Sequence, residues 1–211
     1  MWAPPEVLVL EDDQDQLRAL RELVEGAHLE PLATATPRHA MARLEGRRPI
    51  LAIIDLDMSR APPAERRVSV DDVLRRLHQR HVNCIPLVYS AGVETIDEQA
   101  RVYLLHPHAL FQSKRHGDKR LLERVNGLLG GRVGDLALQG GVVVHLPSAE
   151  PMAHRVAVSL LTAKRANRPL LLSESDARAA RRFQRWLQDC GSCVAVRALG
   201  GRHYQLTVRE E

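Results

Sequence analysis

Two kinds of feature are scarce in this sequence. No uninterrupted apolar run approaches the roughly 20 residues that a membrane-spanning helix needs, so no membrane partner is expected. Cysteine occurs only three times in 211 residues. That is an odd number and too few for a disulfide framework, which points to a reducing compartment. Met1 to Pro5 carries neither a positive n-region nor a cleavage pattern, so no signal peptide is expected and the cytoplasm is the expected location. The ten histidines contain no HExxH or other paired set, and those near 106–108 read as surface residues.

What is present is ample apolar content, 45% of residues, and an uneven division of charge. Residues 1–130 hold 18 Lys and Arg against 19 Asp and Glu, whereas residues 131–211 hold 12 against 7, a net of +5. The second part is the basic one, as expected of a module that faces nucleic acid. An ordinary solvated surface fits the same count.

The most informative stretch is Ile50 to Met58, ILAIIDLDM. An isoleucine-rich run that ends abruptly in a carboxylate reads as a fully buried parallel strand with Asp55 at its tip. Around it, apolar strands at 7–10, 29–34, 85–89 and 109–112 alternate with helical patterns at about 14–25, 37–45, 70–79, 95–105 and 119–129. Five such repeats predict a doubly wound, five-stranded parallel sheet with helices on both faces. In such sheets, chemistry gathers at the carboxyl ends of the strands. The strand ends here supply Glu11 and Asp12, Asp55, Ser90 and Lys114. Gathered carboxylates repel one another unless a cation stands among them, and oxygen ligands with open positions suit Mg²⁺. Lys114 and Ser90 would then hold the oxygens of a phosphoryl group on Asp55, a carboxylate able to act as nucleophile.

The motifs VLVLEDD (7–13), LAIIDLDM (51–58), PLVYSA (86–91) and FQSK (111–114) make residues 6–129 resemble the receiver domain of two-component response regulators, a flavodoxin-like fold. The resemblance implies that Asp55 is the phospho-acceptor and that a sensor histidine kinase is the partner. It implies Mg²⁺ bound by Glu11, Asp12, Asp55 and the backbone carbonyl of Asp57. It further implies that Lys114 pairs with the phosphoryl oxygens, that Ser90 shifts toward them, and that Phe111 is the aromatic switch. The chain departs from the family at Ser59 and Arg115, where proline is usual, and in a longer, more basic 59–69 loop. Asp57 adds a carboxylate beside the metal position, and it is expected to slow phosphorylation or alter its lifetime. His106-Pro107-His108-Ala109 replaces the common acidic run of the family's dimer surface, to which Arg101, Glu123 and Arg124 could contribute, so homodimerisation need not follow the family mode.

The second part reads as a linker at 131–134 and an output domain at 135–211. A hairpin is expected around Gly140-Gly141, then a helix over 154–166 with Val156, Leu160 and Leu161 inward. Leu170 to Leu172 follows as a buried link or short strand. Over about 176–188, Ala180, Phe183 and Leu187 share one helix face, while Arg178, Arg181, Arg182 and Arg185 form a stripe on another. Such a stripe suits phosphates and guanine edges in a major groove, although a solvated arginine face has the same spacing. The ending, VRALGGRHYQL (196–206), reads as a terminal hairpin. Leu199, Gly201, Tyr204 and Leu206 match the wing of the OmpR/PhoB-type winged helix, and that resemblance implies DNA contacts from the four arginines, with Arg202 and His203 at the wing. The helix this family places between Leu172 and the arginine helix is shortened or missing. Cys190 and Cys193 have redox-type spacing but follow a helix rather than opening one, and they read as a turn.

Taken together, the sequence reads as a cytoplasmic response regulator, not a dedicated enzyme. It would consist of a receiver (1–130) joined to a small α+β, winged-helix-like domain that binds promoter DNA. The alternative output is a basic domain that docks a protein and does not bind DNA.

Overall fold

The computed structural model describes residues 5–27, 29–62, 67–81, 83–129, 131–139, 142–148, 150–152, 155–165 and 169–208. The chain forms two compact units, Pro5–Glu123 and Arg124–Glu211.

The first unit alternates strands and helices in the expected order. These are β1 (Glu6–Leu10), α1 (Gln14–Gly26), β2 (Glu30–Thr34), α2 (Pro37–Leu44), β3 (Leu51–Ile54), α3 (Val70–Arg80), β4 (Ile85–Ser90), α4 (Ile96–Leu105) and β5 (Leu110–Ser113). Helix α5 (Gly117–Leu129) follows a short 3-10 turn at Lys114–His116. The strands pair in parallel in the order β2-β1-β3-β4-β5. Every residue of the two central strands β3 and β4 is buried, which is why they read as unbroken apolar runs. The edge strands β2 and β5 are only partly covered. The helices begin where side chains cap them. Asp13 accepts from the N–H groups of Asp15 and Gln16 to start α1, and Ser69 with Asp72 forms a reciprocal capping box on α3. Leu8, Leu10, Ile54, Val88, Leu74 and Leu77 belong to one core against one face of this sheet.

One surface expectation changes. His106 is buried at the end of α4 rather than exposed, and its ring meets those of His78 and His108 edge-on, at centroid distances of 5.4 and 6.3 Å. The spacing of 78 and 106 carries no hint of this, because the two residues meet only through the packing of α3 on α4. On α5, Leu121 and Val125 are fully buried, whereas Leu122 is 37% exposed.

Among its described residues, the second unit holds two antiparallel sheets and, after the end of α5, two further helices. Strands β6 (Gly131–Val133), β7 (Leu136–Gln139), β8 (Val142–His145) and β9 (Glu150–Met152) form the first sheet, in sequence order. Helix α6 (Arg155–Arg165), strand β10 (Leu170–Leu171) and helix α7 (Glu174–Asp189) follow, and the unit ends in β11 (Val194–Gly200) and β12 (His203–Val208). The last three strands pair in the order β10-β12-β11. The hairpin expected at 135–146 is therefore two strands of a larger sheet. Its Gly140-Gly141 turn lies outside the described residues, although Gln139 pairs with Val142 across it. Between β10 and α7 only Leu172 and Ser173 intervene, so the helix that the OmpR/PhoB resemblance would place there is absent. Ser173 instead caps α7 directly, accepting from the N–H of Asp176.

Residues 131–134, expected as a linker, carry β6 and a packed turn. Gly134 has φ +59°, and a Cβ there would lie 2.9 Å from both Cys193 Sγ and Val194 Cγ2. Asp135 then fastens the turn. Its carboxylate accepts from Ser192 Oγ (2.7 Å) and from the N–H of Cys193 (3.0 Å), and lies 3.1 Å from Nε2 of the buried His145. His145 Nδ1 in turn meets Ser148 Oγ at 2.7 Å. Cys190 is the C-cap of α7 and Cys193 lies in the bend that follows, consistent with the turn reading.

Burial pushes the Asp135 carboxyl up, but the bonds from Ser192 and Cys193 and the neighbouring His145 outweigh it and hold the group below its usual 3.8. A depressed carboxyl contributes stability that is present above the unfolded value and is lost as pH falls through the folded one. Asp135→Ala is expected to cost about 2–3 kcal/mol at neutral pH by leaving Ser192 and Cys193 without their acceptor. In urea unfolding, the gap between variant and wild type should narrow toward pH 3.

Candidate functional site

The strand order reverses between β1 and β3, since β1 leads outward to β2 and β3 leads outward to β4. In an open parallel sheet a crevice forms at that reversal, outside the carboxyl ends of the strands. Glu11 and Asp12 leave β1 there and Asp55 leaves β3, and the N–H of Asp55 is held by the carbonyl of Leu10 at 2.9 Å. One carboxylate oxygen from each of Glu11, Asp12 and Asp55 lies within 4.8 Å of the others. Ser90 ends β4 opposite Ser113, so Lys114 emerges one residue beyond the rim of β5.

Glu11 and Asp55 are nearly inaccessible, at 1% and 5% exposure. Lys114 serves both, with Nζ donating to Asp55 Oδ2 at 2.6 Å and to Glu11 Oε2 at 2.7 Å. Burial drives the Glu11 carboxyl up to about 7 despite the lysine, and the nearby Asp55 charge adds to the rise. Burial disfavours the charged Lys114 ammonium, yet the bonds from Asp55 and Glu11 more than offset it and raise its pKa. One ammonium thus faces more carboxylate than it neutralises. The clustered hard oxygens and the surplus negative charge fit a divalent cation of the Mg²⁺ type.

The residues after Asp55 fold as successive turns. The N–H of Asp57 donates to Asp55 Oδ1 (3.1 Å), and that of Ser59 donates to Asp57 Oδ1 (3.0 Å). Bonds from the Ser59 side chain and backbone hold the Asp57 carboxyl low. The Asp57 side chain is therefore engaged in capping this turn, a role that its position beside the expected metal did not suggest. Both departures from proline use the hydrogen that proline lacks. Ser59 donates its N–H to Asp57, and Arg115 donates its N–H to Ser113 Oγ at 3.2 Å.

Sequence reading missed a second set of polar residues beside the pocket. The buried Tyr89 donates to Asp118 Oδ1 at 2.7 Å, Gln16 donates to the same oxygen at 3.2 Å, and Lys114 Nζ stands 5.9 Å from the Tyr89 ring centroid. Burial and the Asp118 carboxylate both raise the Tyr89 hydroxyl pKa well above its usual 10.0, so it stays a donor. These residues come from β4, α1 and the start of α5, and no local motif joins them. Phe111 is half-buried, with its ring edge-on to Tyr103 at 5.0 Å.

In the second unit, Arg178, Arg181, Arg182 and Arg185 are all exposed on α7, while Ala180, Phe183 and Leu187 are buried. Trp186 stacks on Phe183 at 5.7 Å. Arg202 and His203 are exposed at the β11–β12 turn, where Arg202 adopts φ 64° between Gly201 and the strand. Leu206 is fully buried, whereas Leu199 is 47% exposed.

Removing Lys114 would leave Glu11 and Asp55 facing each other uncompensated. Lys114→Ala is expected to destabilise the protein by about 3 kcal/mol in urea unfolding, the cost of breaking a largely buried pair. Tyr89→Phe should cost about 1 kcal/mol, one buried hydrogen bond.

No protein-family model matches the chain, and no curated protein matches it. Among solved structures, the CheY-like response regulator receiver domain protein of Methanospirillum hungatei JF-1 is similar over 59% of this chain and 92% of its own, at 17% identity and a TM-score of 0.50. The receiver domain of the Francisella response regulator 1452 matches over 58% of this chain and 93% of its own, at 16% identity and a TM-score of 0.48. A LuxR-family DNA-binding response regulator of Staphylococcus aureus matches over 58% and 96%, at 21% identity and a TM-score of 0.48. The five-stranded parallel unit of this chain has the receiver-domain fold.

Proposed function

We propose that the chain is a response regulator phosphorylated on Asp55 by a sensor histidine kinase, and that it controls transcription through its basic second unit. The observation that carries the first half is the meeting of Glu11, Asp12, Asp55 and Lys114 where the strand order reverses. In this reading the Asp55 carboxylate attacks phosphorus, the bond to the kinase histidine breaks, and an acyl phosphate results. Lys114, already on Asp55, is placed to hold a phosphoryl oxygen, and Ser90 at the end of β4 is placed to donate to another. Glu11, Asp12, Asp55 and the Asp57 backbone carbonyl would hold Mg²⁺, which supplies positive charge against the negative charge of the transferring group. As Ser90 and Phe111 respond, the receiver surface changes and DNA binding changes with it. The chain assists its own modification and is not a dedicated enzyme.

The second half is supported by the exposure of all four arginines along one helix and by the three-stranded wing-like sheet β10-β12-β11. In this reading α7 enters a major groove, and Arg202 and His203 lie at the wing. The absence of a helix between β10 and α7 favours the other output, in which the basic unit docks a protein instead. Homodimerisation of the receiver would use an apolar α4, because Ile96 and Leu104 are exposed there and Arg101 is engaged by Asp71 and Glu98.

Incubation with a small acyl phosphate and Mg²⁺ should add one phosphoryl group to the wild type and none to Asp55→Asn, read by intact mass. Modification of Asp55→Asn at the same level would sink the assignment. Asp57→Asn should change the lifetime of that phosphoryl group, and an unchanged decay would remove Asp57 from the reaction. Duplex DNA should be retained at low salt. The Arg182→Ala/Arg185→Ala double variant should bind more weakly and lower the slope of log affinity against log salt by about 2, at ~0.9 per phosphate contact. No retention of any duplex at low salt would leave the protein-docking output.

A further inference from the structure

The loop after β3 does more than connect β3 to α3. Its turns carry Arg60 and Ala61 back over the end of β1, with the N–H of Ala61 also held by the Met58 carbonyl at 3.2 Å. There a single oxygen, Asp12 Oδ2, accepts the N–H of Arg60 at 2.6 Å and that of Ala61 at 2.9 Å. The Arg60 guanidinium pairs with Asp13 beside it. Ala61 is buried at 2% exposure, so the turn is seated rather than loosely apposed. The acidic end of β1 is thus clasped by two peptide dipoles and one full positive charge, all from the adjacent residues Arg60 and Ala61.

We propose that the Ser59–Ala61 turn is a latch that competes with the divalent cation for the acidic pocket, and that Arg60 sets the pocket's cation affinity. The inference rests on reading Glu11, Asp12 and Asp55 as the cation site. A cation and the two N–H donors draw on the same Asp12 carboxylate, and the guanidinium charge next to it repels a dication. Each arrangement therefore weakens the other, and occupation of the site by a cation releases the turn. The Arg60–Asp13 pair is exposed, at 68% and 30% for the two side chains, so its share is a few-fold in affinity rather than orders of magnitude.

The test uses the full chain in two measurements. Calorimetric titration with MgCl₂ compares the wild type with Arg60→Gln. Limited trypsin digestion scores cleavage after Arg60 by mass, with cuts at other arginines as the internal reference. Arg60→Gln should bind Mg²⁺ about two- to fivefold more tightly, the range of one exposed ion pair. Wild type should be cut after Arg60 slowly without Mg²⁺ and several-fold faster with it. Asp13→Asn keeps the oxygen that caps α1 but loses the ion pair, and it should be cut quickly even without Mg²⁺. If the wild type binds Mg²⁺ yet Arg60→Gln binds it no more tightly, or if cleavage after Arg60 ignores Mg²⁺, the latch is wrong and the cation site stands. If neither protein binds Mg²⁺, the cation reading itself is overturned and the latch with it.

Discussion

The first unit depends on how one ammonium group holds two buried carboxylates together. Glu11 and Asp55 sit at the ends of adjacent buried strands, where water cannot solvate them, and Lys114 reaches both from the end of β5. Removing charged groups from water is costly unless they are paired with good geometry. Lys114 provides that geometry, and its own charge is in turn stabilised by the two acids. The pairing does not offset burial in full, since burial, with the nearby Asp55 charge, drives the Glu11 carboxyl up to about 7 despite the lysine. Lys114 bonds Glu11 and Asp55, and the Asp12 carboxylate beside them adds negative charge that a divalent cation would meet.

Everything around the pocket follows from supplying positive charge or hydrogen at its rim. The Asp57 N–H points at Asp55, the Arg60 and Ala61 N–H groups point at Asp12, and the Asp13 N–H points at Glu11 Oε1 at 3.2 Å. Each acid therefore receives at least one backbone donor in addition to any side-chain partner. The substitutions at Ser59 and Arg115 belong to the same pattern, since each provides an N–H that a proline could not. The loop sequence is thus fitted to the acids it covers, which is a stronger constraint than its irregular shape suggests.

Much of the first unit was legible because its signals are local or ordered along the chain. Ile50 to Asp55 could be read as a buried strand ending in a carboxylate because central parallel strands are apolar on both faces. The strand-end rule then carried Glu11, Asp12, Ser90 and Lys114 to the same rim without any knowledge of contacts. What stayed hidden depends on packing between distant segments. Tyr89, Asp118 and Gln16 meet across three elements, and His78 meets His106 only where α3 lies on α4. The turn-capping role of the Asp57 carboxylate stayed hidden for the opposite reason, because its partner Ser59 is so close in sequence that a reading focused on the metal passed over it.

The second unit was less legible because its strands are short and its turns are rich in glycine. Three-residue strands such as β6 and β9 have too few residues for a period to show, and they exist because β7 and β8 offer them edges. The amphipathic α7 was readable, since sixteen residues give its buried and arginine faces room to separate. Its start lies two residues before the expected 176, with Ser173 serving as the cap. Direct capping by Ser173, with only Leu172 before it, leaves no chain for a helix between β10 and α7. Helix α7 packs instead on β11 and on the neighbouring helix α6, and these hold its arginine face in position. The seven-residue β11, paired along β12, gives α7 the longest strand pairing among the described residues of the unit to pack against, and α6 supports it as well.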